Sequence, residues 1–444
     1  MRVVPRLNEE VNEEWISDKA RFQYDGLKRQ RLHTCYVKDP ATGKLRASGW
    51  QEALGAVAER VRSVQGNEIR AVAGRLADAE SMVLLRDLLH RLGSGSLQAE
   101  GAFAGLDADS RGQYVMNSGI AGIEQADRIL LVGTNPRTEA PVLNARLRKA
   151  WTNGTQVAQL GPAADLTFKT DHLGDSPALL DDLVAGKHPY AAELKSAKRP
   201  MVIVGAGVLH RPDRDAVLRR LHELAERAGL VREGWNGFNV LQDSAARVAA
   251  LDLGFVPSAR ARASAAAPKV VFLLGSDDFA EEDVPQGAFV VYLGHHGERG
   301  AARADVVLPG AAYTEKSGTY VNTEGRVQRT RAAVPLVGDA REDWRVIRAL
   351  SEVLGCPLPQ DSLDAVRARL ADVAPHFARV DHVERPIWLG DYAKALAARV
   401  QAAIDTKQPL TSAVPNFYQT DVISRASLTM AKCVQARKEA RQLA

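Results

Sequence analysis

Six polar residues, Glu315, Lys316, Thr319, Asn322, Glu324 and Arg326, crowd one short stretch punctuated by Gly318 and Gly325. Two carboxylates, two cations and two neutral hydrogen-bonding side chains are a set with which a loop can grip a polar ligand. They follow the apolar run Asp305-Val306-Val307-Leu308, which has the length of a buried strand. Pro309-Gly310 stops that strand, because proline cannot donate to a ladder and glycine accepts unusual backbone angles. A long polar loop beyond the end of a buried strand is where an α/β protein places a ligand site. A solvated connection is the plainer alternative, and this stretch by itself leaves both open.

Three other sets of residues invite a chemical reading. Gly205-Ala206-Gly207-Val208-Leu209-His210 has the first two glycines of a dinucleotide fingerprint, but His210 stands where a small third residue would let helix and strand close up. No acidic residue ends a second strand at the usual distance, since Glu223 and Glu226 fall inside an expected helix over 215–228. A plain tight turn is the reading for this sequence. His295 and His296, with Glu298, suggest a metal. Adjacent residues on an extended segment point opposite ways, so these read better as satisfied loop histidines. The three cysteines, Cys35, Cys356 and Cys433, are far apart and form no CxxC pair. An iron–sulfur cluster needs about four thiolates at close spacing, so they read as reduced, packed thiols and not as cluster ligands or a disulfide.

The elements that position these residues are legible. Leu54, Val57, Val61 and Val64 recur at helical spacing over 50–64, and a strand is expected at 69–74. Asp78 and Ser81 flank the start of a helix whose apolar face is Met82, Leu85, Leu88, Leu89 and Leu92, closed by Gly93. Apolar runs over 128–133, 156–161, 201–205, 269–275, 289–294 and 305–308 complete a set of seven short strands. Helical stretches alternate with them, one of them through Val142, Leu143, Leu147 and Trp151. That alternation specifies doubly wound parallel sheets. Beyond Ala340 the chain turns helical, with a stripe of Trp344, Ile347, Leu350 and Leu354, a short helix over 363–373 and a basic helix from Ala426.

Composition excludes several classes. With 45% hydrophobic and 25% charged residues, 444 residues make globular material for two or three domains. A net charge of +4 and no interleaving of cations with aromatics argue against nucleic acid. The most basic run, Lys28-Arg29-Gln30-Arg31, reads as a solvated or subunit-facing patch. No run approaches the roughly 20 apolar residues that cross a bilayer, so membrane association is expected only through partners. The segment from Met1 lacks the acid-poor, Arg- and Ser-rich character of an import leader.

The stretch ADVVLPGAAYTEKSGTYVNTEGRVQ, residues 304–328, resembles the signature of the molybdopterin-oxidoreductase superfamily. It does so in the form carried by the 75 kDa iron–sulfur subunits of mitochondrial respiratory complex I. NEEWISDKARFQYDGLKRQRL (12–32), LLVGTNPRTEAPVLNARLRKAW (130–151), DHLGDSP (171–177), AREDWRVIRALSEVLG (340–355) and FYQTDVISRASLTMAKCV (417–434) resemble the same subunits in the same order.

The resemblance implies an α/β fold of two Rossmann-like doubly wound parallel-sheet lobes, one inserted in the other, with a helical C-terminal tail. The lobes would comprise 46–104 with 195–350, and 105–194, followed by a helical extension over 351–444. Residues 1–45 would pack on the cluster-bearing domain. In some bacterial relatives a cysteine stands at the position of Ser17, as the last ligand of an additional cluster; a serine hydroxyl is a poor substitute. In molybdenum-bearing relatives the region of 94–120 includes the Cys, selenocysteine or Ser that binds the metal. No cysteine lies there, and nothing around Ser110 or Ser118 marks either as a ligand.

The resemblance therefore implies a scaffold in the NADH-oxidising peripheral arm of complex I, on the matrix side of the mitochondrial inner membrane. It would support electron transfer from NADH to ubiquinone without redox chemistry of its own. No residue is singled out as catalytic, cofactor-binding or metal-binding. Iron–sulfur clusters are expected in the N-terminal part of the subunit and molybdopterin is not expected. The expected partners are that cluster-bearing part and other peripheral-arm subunits. A second polypeptide is the expected source of the cluster domain, with one continuous chain as the alternative. An active molybdopterin-dependent or nucleotide-binding oxidoreductase is the competing reading.

Overall fold

The computed structural model describes residues 2–101, 108–256, 266–385, 398 and 402–442. The strands, in chain order, are β1 (Cys35–Lys38), β2 (Leu45–Ser48), β3 (Ile69–Ala73), β4 (Leu97–Ala99), β5 (Arg128–Val132), β6 (Gln156–Leu160), β7 (Asp171–Gly174) and β8 (Pro200–Val204). They continue with β9 (Val231–Arg232), β10 (Trp235–Asn236), β11 (Phe238–Val240), β12 (Val270–Leu274), β13 (Phe289–Gly294), β14 (Val306–Pro309), β15 (Thr319–Val321) and β16 (Val327–Arg329).

Two sheets carry the fold. One has seven strands in the order β2-β1-β14-β13-β12-β3-β4; the other has five, β11-β8-β5-β6-β7. The smaller sheet is parallel throughout, and the larger is parallel except where the β1–β2 hairpin adds to its edge against β14. Central strands such as Val270–Leu274 and Pro200–Val204 are buried along their whole length, as expected for sheets covered on both faces. Each such aliphatic side chain contributes roughly 1.5–3 kcal/mol. The helix Ala79–Arg91 starts where Asp78 accepts a hydrogen bond from the Ser81 amide at 2.9 Å, and it buries Met82, Leu85, Leu88 and Leu89. Beside it packs the helix Asp343–Val353, through Trp344, Ile347 and Leu350.

Three of the expected boundaries shift. β8 pairs with β5, and β11 with β8, in the smaller sheet, so the inserted lobe runs on past 195 to at least Val240. An all-apolar strand fits beside any other, so sequence does not tell which sheet it joins. Residues 1–45 are not only a docking segment: β1 pairs with β14 and Leu32 is buried in the larger lobe's core. Within the extension over 351–444, the described residues 402–421 are not helical, while Val422–Ala426 and Leu428–Gln442 are. The expected lobe boundary at 104/105, and 386–397 and 399–401 of the tail, lie outside the described residues.

Candidate functional site

In the larger sheet the chain extends from β3 to β4 in one direction and from β12 to β13 and β14 in the other. The crevice at the carboxyl ends of β3 and β12 is thus the place where this fold class puts ligands. The two tips touch. The Gly74 amide donates to the Leu274 carbonyl at 2.8 Å, and a Cβ on Gly74 would overlap the Gly275 carbonyl. A cavity of about 30 Å3 remains, room for about one water, lined by Arg75, Glu100, Asp277, Asp278, His295 and Lys316 among others.

The acids around it are held by the fold's own donors. Glu100 accepts from the amides of Arg75 at 3.0 Å and Asp277 at 2.8 Å, and from that of Asp278. Asp277 accepts from the Gly300 amide at 2.9 Å and the Tyr292 hydroxyl at 2.8 Å. Burial nevertheless dominates, and pushes the Asp277 carboxyl up to about 7. Glu100 is raised by burial and by the nearby Asp278 charge. Tyr292 is raised by burial and by Asp277.

Lys316 enters the same crevice from the polar stretch. Its ammonium lies 2.5 Å from both Asp78 Oδ2 and Asp343 Oδ2, and all three residues are buried. The pair of carboxylates holds the ammonium charged, against its burial. Asp78, supported also by Ser81, stays below its usual range, whereas burial pushes Asp343 up to about 6. Two carboxylates share one cation, so the second ionises less readily.

The rest of the stretch is used in the same way. Glu315 accepts a bidentate pair from Arg31 at 2.6 and 2.7 Å, and Thr319 donates to Glu80 at 2.6 Å through its hydroxyl and 2.7 Å through its amide. Asn322 Oδ1 accepts the amides of Glu324 and Arg326, shaping the turn of the β15–β16 hairpin. Glu324 accepts from the Ile120 amide at 2.8 Å and from Arg326 Nε at 2.7 Å. Arg326 also donates to the Asp381 carbonyl at 2.5 Å and pairs with Glu10. The solvated-connection reading of this loop does not hold, because Glu315, Lys316, Thr319, Glu324 and Arg326 are buried. It is a buried polar hub that ties the N-terminal segment, both lobes and the region of 381 together.

The other candidates resolve individually. His295 and His296 do not diverge: Nδ1 faces Nδ1 at 2.6 Å, with the rings at 85°. His296 Nε2 lies 2.9 Å from the Gly26 carbonyl and must donate there, so His295 donates between the rings. Burial lowers the pKa of both imidazoles, which keeps both neutral. Glu298 turns away to Arg425. Cys35 is buried, with its thiol pushed up to about 12 by burial. The Ser17 hydroxyl caps the helix Asp18–Phe22 by accepting from the Ala20 amide at 3.1 Å. Ser110 is buried, and the Ser118 hydroxyl meets Asn239 Oδ1 and the Gly119 carbonyl at 3.0 Å each.

Chemically, the crevice can hold protons and neutralise charge, and its acids already have their donors. Among the described residues no group of three His, Cys, Asp or Glu side chains is placed to hold a metal. Sequence reasoning missed Glu100, Asp277 and Asp343. Asp78 was visible as a helix cap, but no periodicity says that a cap will face a lysine over 200 residues away.

Residues 31–353 match the model of the molybdopterin oxidoreductase family. Residues 382–433 match that of the C-terminal region of an NADH-ubiquinone oxidoreductase subunit. Residues 1–25 match part of the NADH-ubiquinone oxidoreductase NDSU1/NuoG-like 4Fe-4S domain, although they contain no cysteine. Over 98% of its length the chain is 49% identical to the mitochondrial NADH dehydrogenase [ubiquinone] iron-sulfur protein 1 of Solanum tuberosum, covering 58% of that protein. It is 47% identical to the mitochondrial NADH-ubiquinone oxidoreductase 78 kDa subunit of Neurospora crassa, over 99% of this chain and 59% of that one. The 75 kDa subunit of Reclinomonas americana is 40% identical over 98% of this chain and 64% of its own length. The chain thus spans about three fifths of the length of these relatives. Among solved structures, acetylene hydratase from Pelobacter acetylenicus superposes with a TM-score of 0.63 at 12% identity, over 96% of this chain and 73% of that one, a likeness of fold. With one family model spanning well over half of its residues, the chain belongs to the molybdopterin oxidoreductase family.

Proposed function

We propose that this chain is the α/β part of the large iron–sulfur subunit of an NADH:ubiquinone oxidoreductase. It would work as a scaffold of the peripheral arm, on the matrix side of the mitochondrial inner membrane, without redox chemistry of its own. The observation that carries this reading is the near end-to-end likeness to such subunits, 49% over 98% of the chain. The interior favours a supporting role: buried acids, histidines and Lys316 spend their hydrogen-bonding capacity on one another and on the backbone. The crevice at β3 and β12 has no room for the pterin cofactor that the family name implies. The tips of β3 and β12 lie in contact and leave space for about one water.

Partners would be the cluster-bearing part of the subunit and neighbouring arm subunits. Four of the eight exposed large apolar side chains among the described residues, Val4, Leu7, Trp15 and Phe22, lie on the first 22 positions. Trp15 is 54% exposed, and a tryptophan in such a position is a typical anchor for a partner. Replacing Trp15 with Ala is expected to weaken association with neighbouring arm subunits by about 30-fold or more. The melting temperature of the chain alone should scarcely move, as for other surface changes. Co-purification and calorimetry of the same variant separate the two effects. A melting loss equivalent to about 3–5 kcal/mol with assembly intact would mean that Trp15 is a core residue of the lobes.

The cysteine arithmetic gives a second test. Purified anaerobically, the 444-residue chain should be colourless, with neither the broad visible absorbance nor the paramagnetic signals of iron–sulfur clusters. Several irons per chain would refute the assignment of the clusters to another part of the subunit.

A further inference from the structure

At the carboxyl ends of both sheets, the ground that a ligand would take is held by the C-terminal segment of the same chain. In the smaller sheet the strand order switches between β5 and β8. The turns after these strands are bonded to each other: Gly205 N–H donates to the Val132 carbonyl at 2.9 Å, and Gly207 N–H to the Gly133 carbonyl at 3.1 Å. A Cβ on Gly207 would overlap the Thr411 carbonyl oxygen. In a dinucleotide turn the second glycine lets the backbone approach a pyrophosphate; here the approaching group is a peptide of the tail.

Neighbouring contacts lock that peptide in place. Leu410 is 1% exposed, and its amide donates to the Asp175 carbonyl just beyond β7 at 2.8 Å. Arg211, itself 3% exposed, donates to the carbonyls of Gln408 at 2.7 Å, Pro409 at 3.0 Å and Asp405 at 3.0 Å. Asp213 holds the same guanidinium and also accepts the Asp405 amide at 2.7 Å. Ser412 donates to Glu139 at 2.7 Å, and Glu139 in turn accepts the Asn135 amide in the turn after β5.

The larger sheet repeats the arrangement. The helix Val422–Ala426, capped by Asp421, lies over the crevice at β3 and β12. Val422 and Ile423 are buried against Leu27 and Ala312. Arg425 bonds Glu298 at 2.7–3.0 Å and Asp278 at 3.2 Å, and so joins the turns after β13 and β12. A Cβ on Gly26 would overlap the Ile423 carbonyl oxygen.

We propose that residues 405–426 are a built-in peptide ligand, the resident occupant of the switch-point crevices of both sheets, in the positions where a diphosphate-bearing nucleotide would otherwise bind. Buried arginine and carboxylate groups at the strand tips recognise the carbonyls, hydroxyl and guanidinium of this segment. Such occupancy is independent of the assembly proposed above. Hydrogen exchange of the 444-residue chain, with ADP as the nucleotide probe, tests it. The Leu410 and Arg425 amides should exchange roughly 100-fold or more slowly than in an unstructured peptide. About 1 mM ADP should leave their exchange unchanged and show no binding. Arg211→Ala should release protection around Leu410 while sparing that at Arg425, and Arg425→Ala should do the reverse. Free exchange at Leu410 in the intact chain overturns the proposal. So does ADP binding with the segment still protected, or an Arg211→Ala chain whose Leu410 protection is unchanged. Should a variant fail to fold, the intact chain's exchange and its ADP titration decide the matter.

Discussion

Replacing Lys316 with Met is expected to destabilise the chain by about 3–5 kcal/mol, the range found when one partner of a buried ion pair is removed. The reason is desolvation. Asp78 and Asp343 are 2% and 4% exposed, and each has the Lys316 ammonium at 2.5 Å. Methionine keeps most of the lysine's apolar stem and removes only the charge, so packing is largely preserved. Asp78 retains the Ser81 amide and hydroxyl at 2.9 and 2.8 Å, whereas Asp343 loses the donor that opposes its burial. Adding Asp343→Asn to Lys316→Met should therefore recover about 1–2 kcal/mol. Calorimetric melting of the wild type, the single variant and the double variant measures both numbers. A loss below about 1 kcal/mol in the single variant would mean that water reaches this triad and that the stretch is a solvated loop after all.

The second large effect is in pH. Burial raises Asp277 to about 7 and Asp343 to about 6, above the usual aspartate range. A carboxyl raised on folding binds its proton more tightly in the native chain. Its contribution to stability is therefore fully present below about pH 4 and is lost as pH rises through its folded value. Each of these two carboxyls should accordingly contribute a falling slope between about pH 4 and its folded value, approaching 1.4 kcal/mol per pH unit, against the rise contributed by the buried neutral histidines. Asp277→Asn removes the upper part of this slope. Its carbonyl can accept from Gly300, and its amide can donate to the Tyr292 oxygen, whose own proton turns to the His296 carbonyl 3.2 Å away. Relative to the wild type, the stability of the variant should fall less steeply between about pH 6 and 7. Denaturant midpoints taken between pH 4 and 8 measure this, and an unchanged slope from 6 to 7 would place the titrating proton elsewhere.

What the sequence determined was local. Apolar runs marked all seven of the strands read from it, because a strand buried on both faces must be apolar along its length. Helical spacing marked the helices Trp50–Arg62, Ala79–Arg91 and Asp343–Val353 for the matching reason. Missing from the reading were the nine other described strands, β4, β7 and β11 among them, which have two to four residues each and too little pattern to stand out.

Only the tertiary structure decided where strands and charges meet. Pro200–Val204 looks the same in sequence whichever sheet it joins; the inserted lobe claims it because β5 and β11 offer its two edges. The polar stretch left a ligand loop and a solvated connection both open, because single-chain patterns cannot show that Arg31, Glu80, Asp78 and Asp343 converge on it from distant segments. Gly205 and Gly207 looked like half of a nucleotide turn, and the likeness is real at the level of backbone approach. What approaches is a segment about 200 residues further along the chain. Long-range electrostatic pairing has no periodicity, so its partners become visible only once the backbone has brought them within hydrogen-bonding distance.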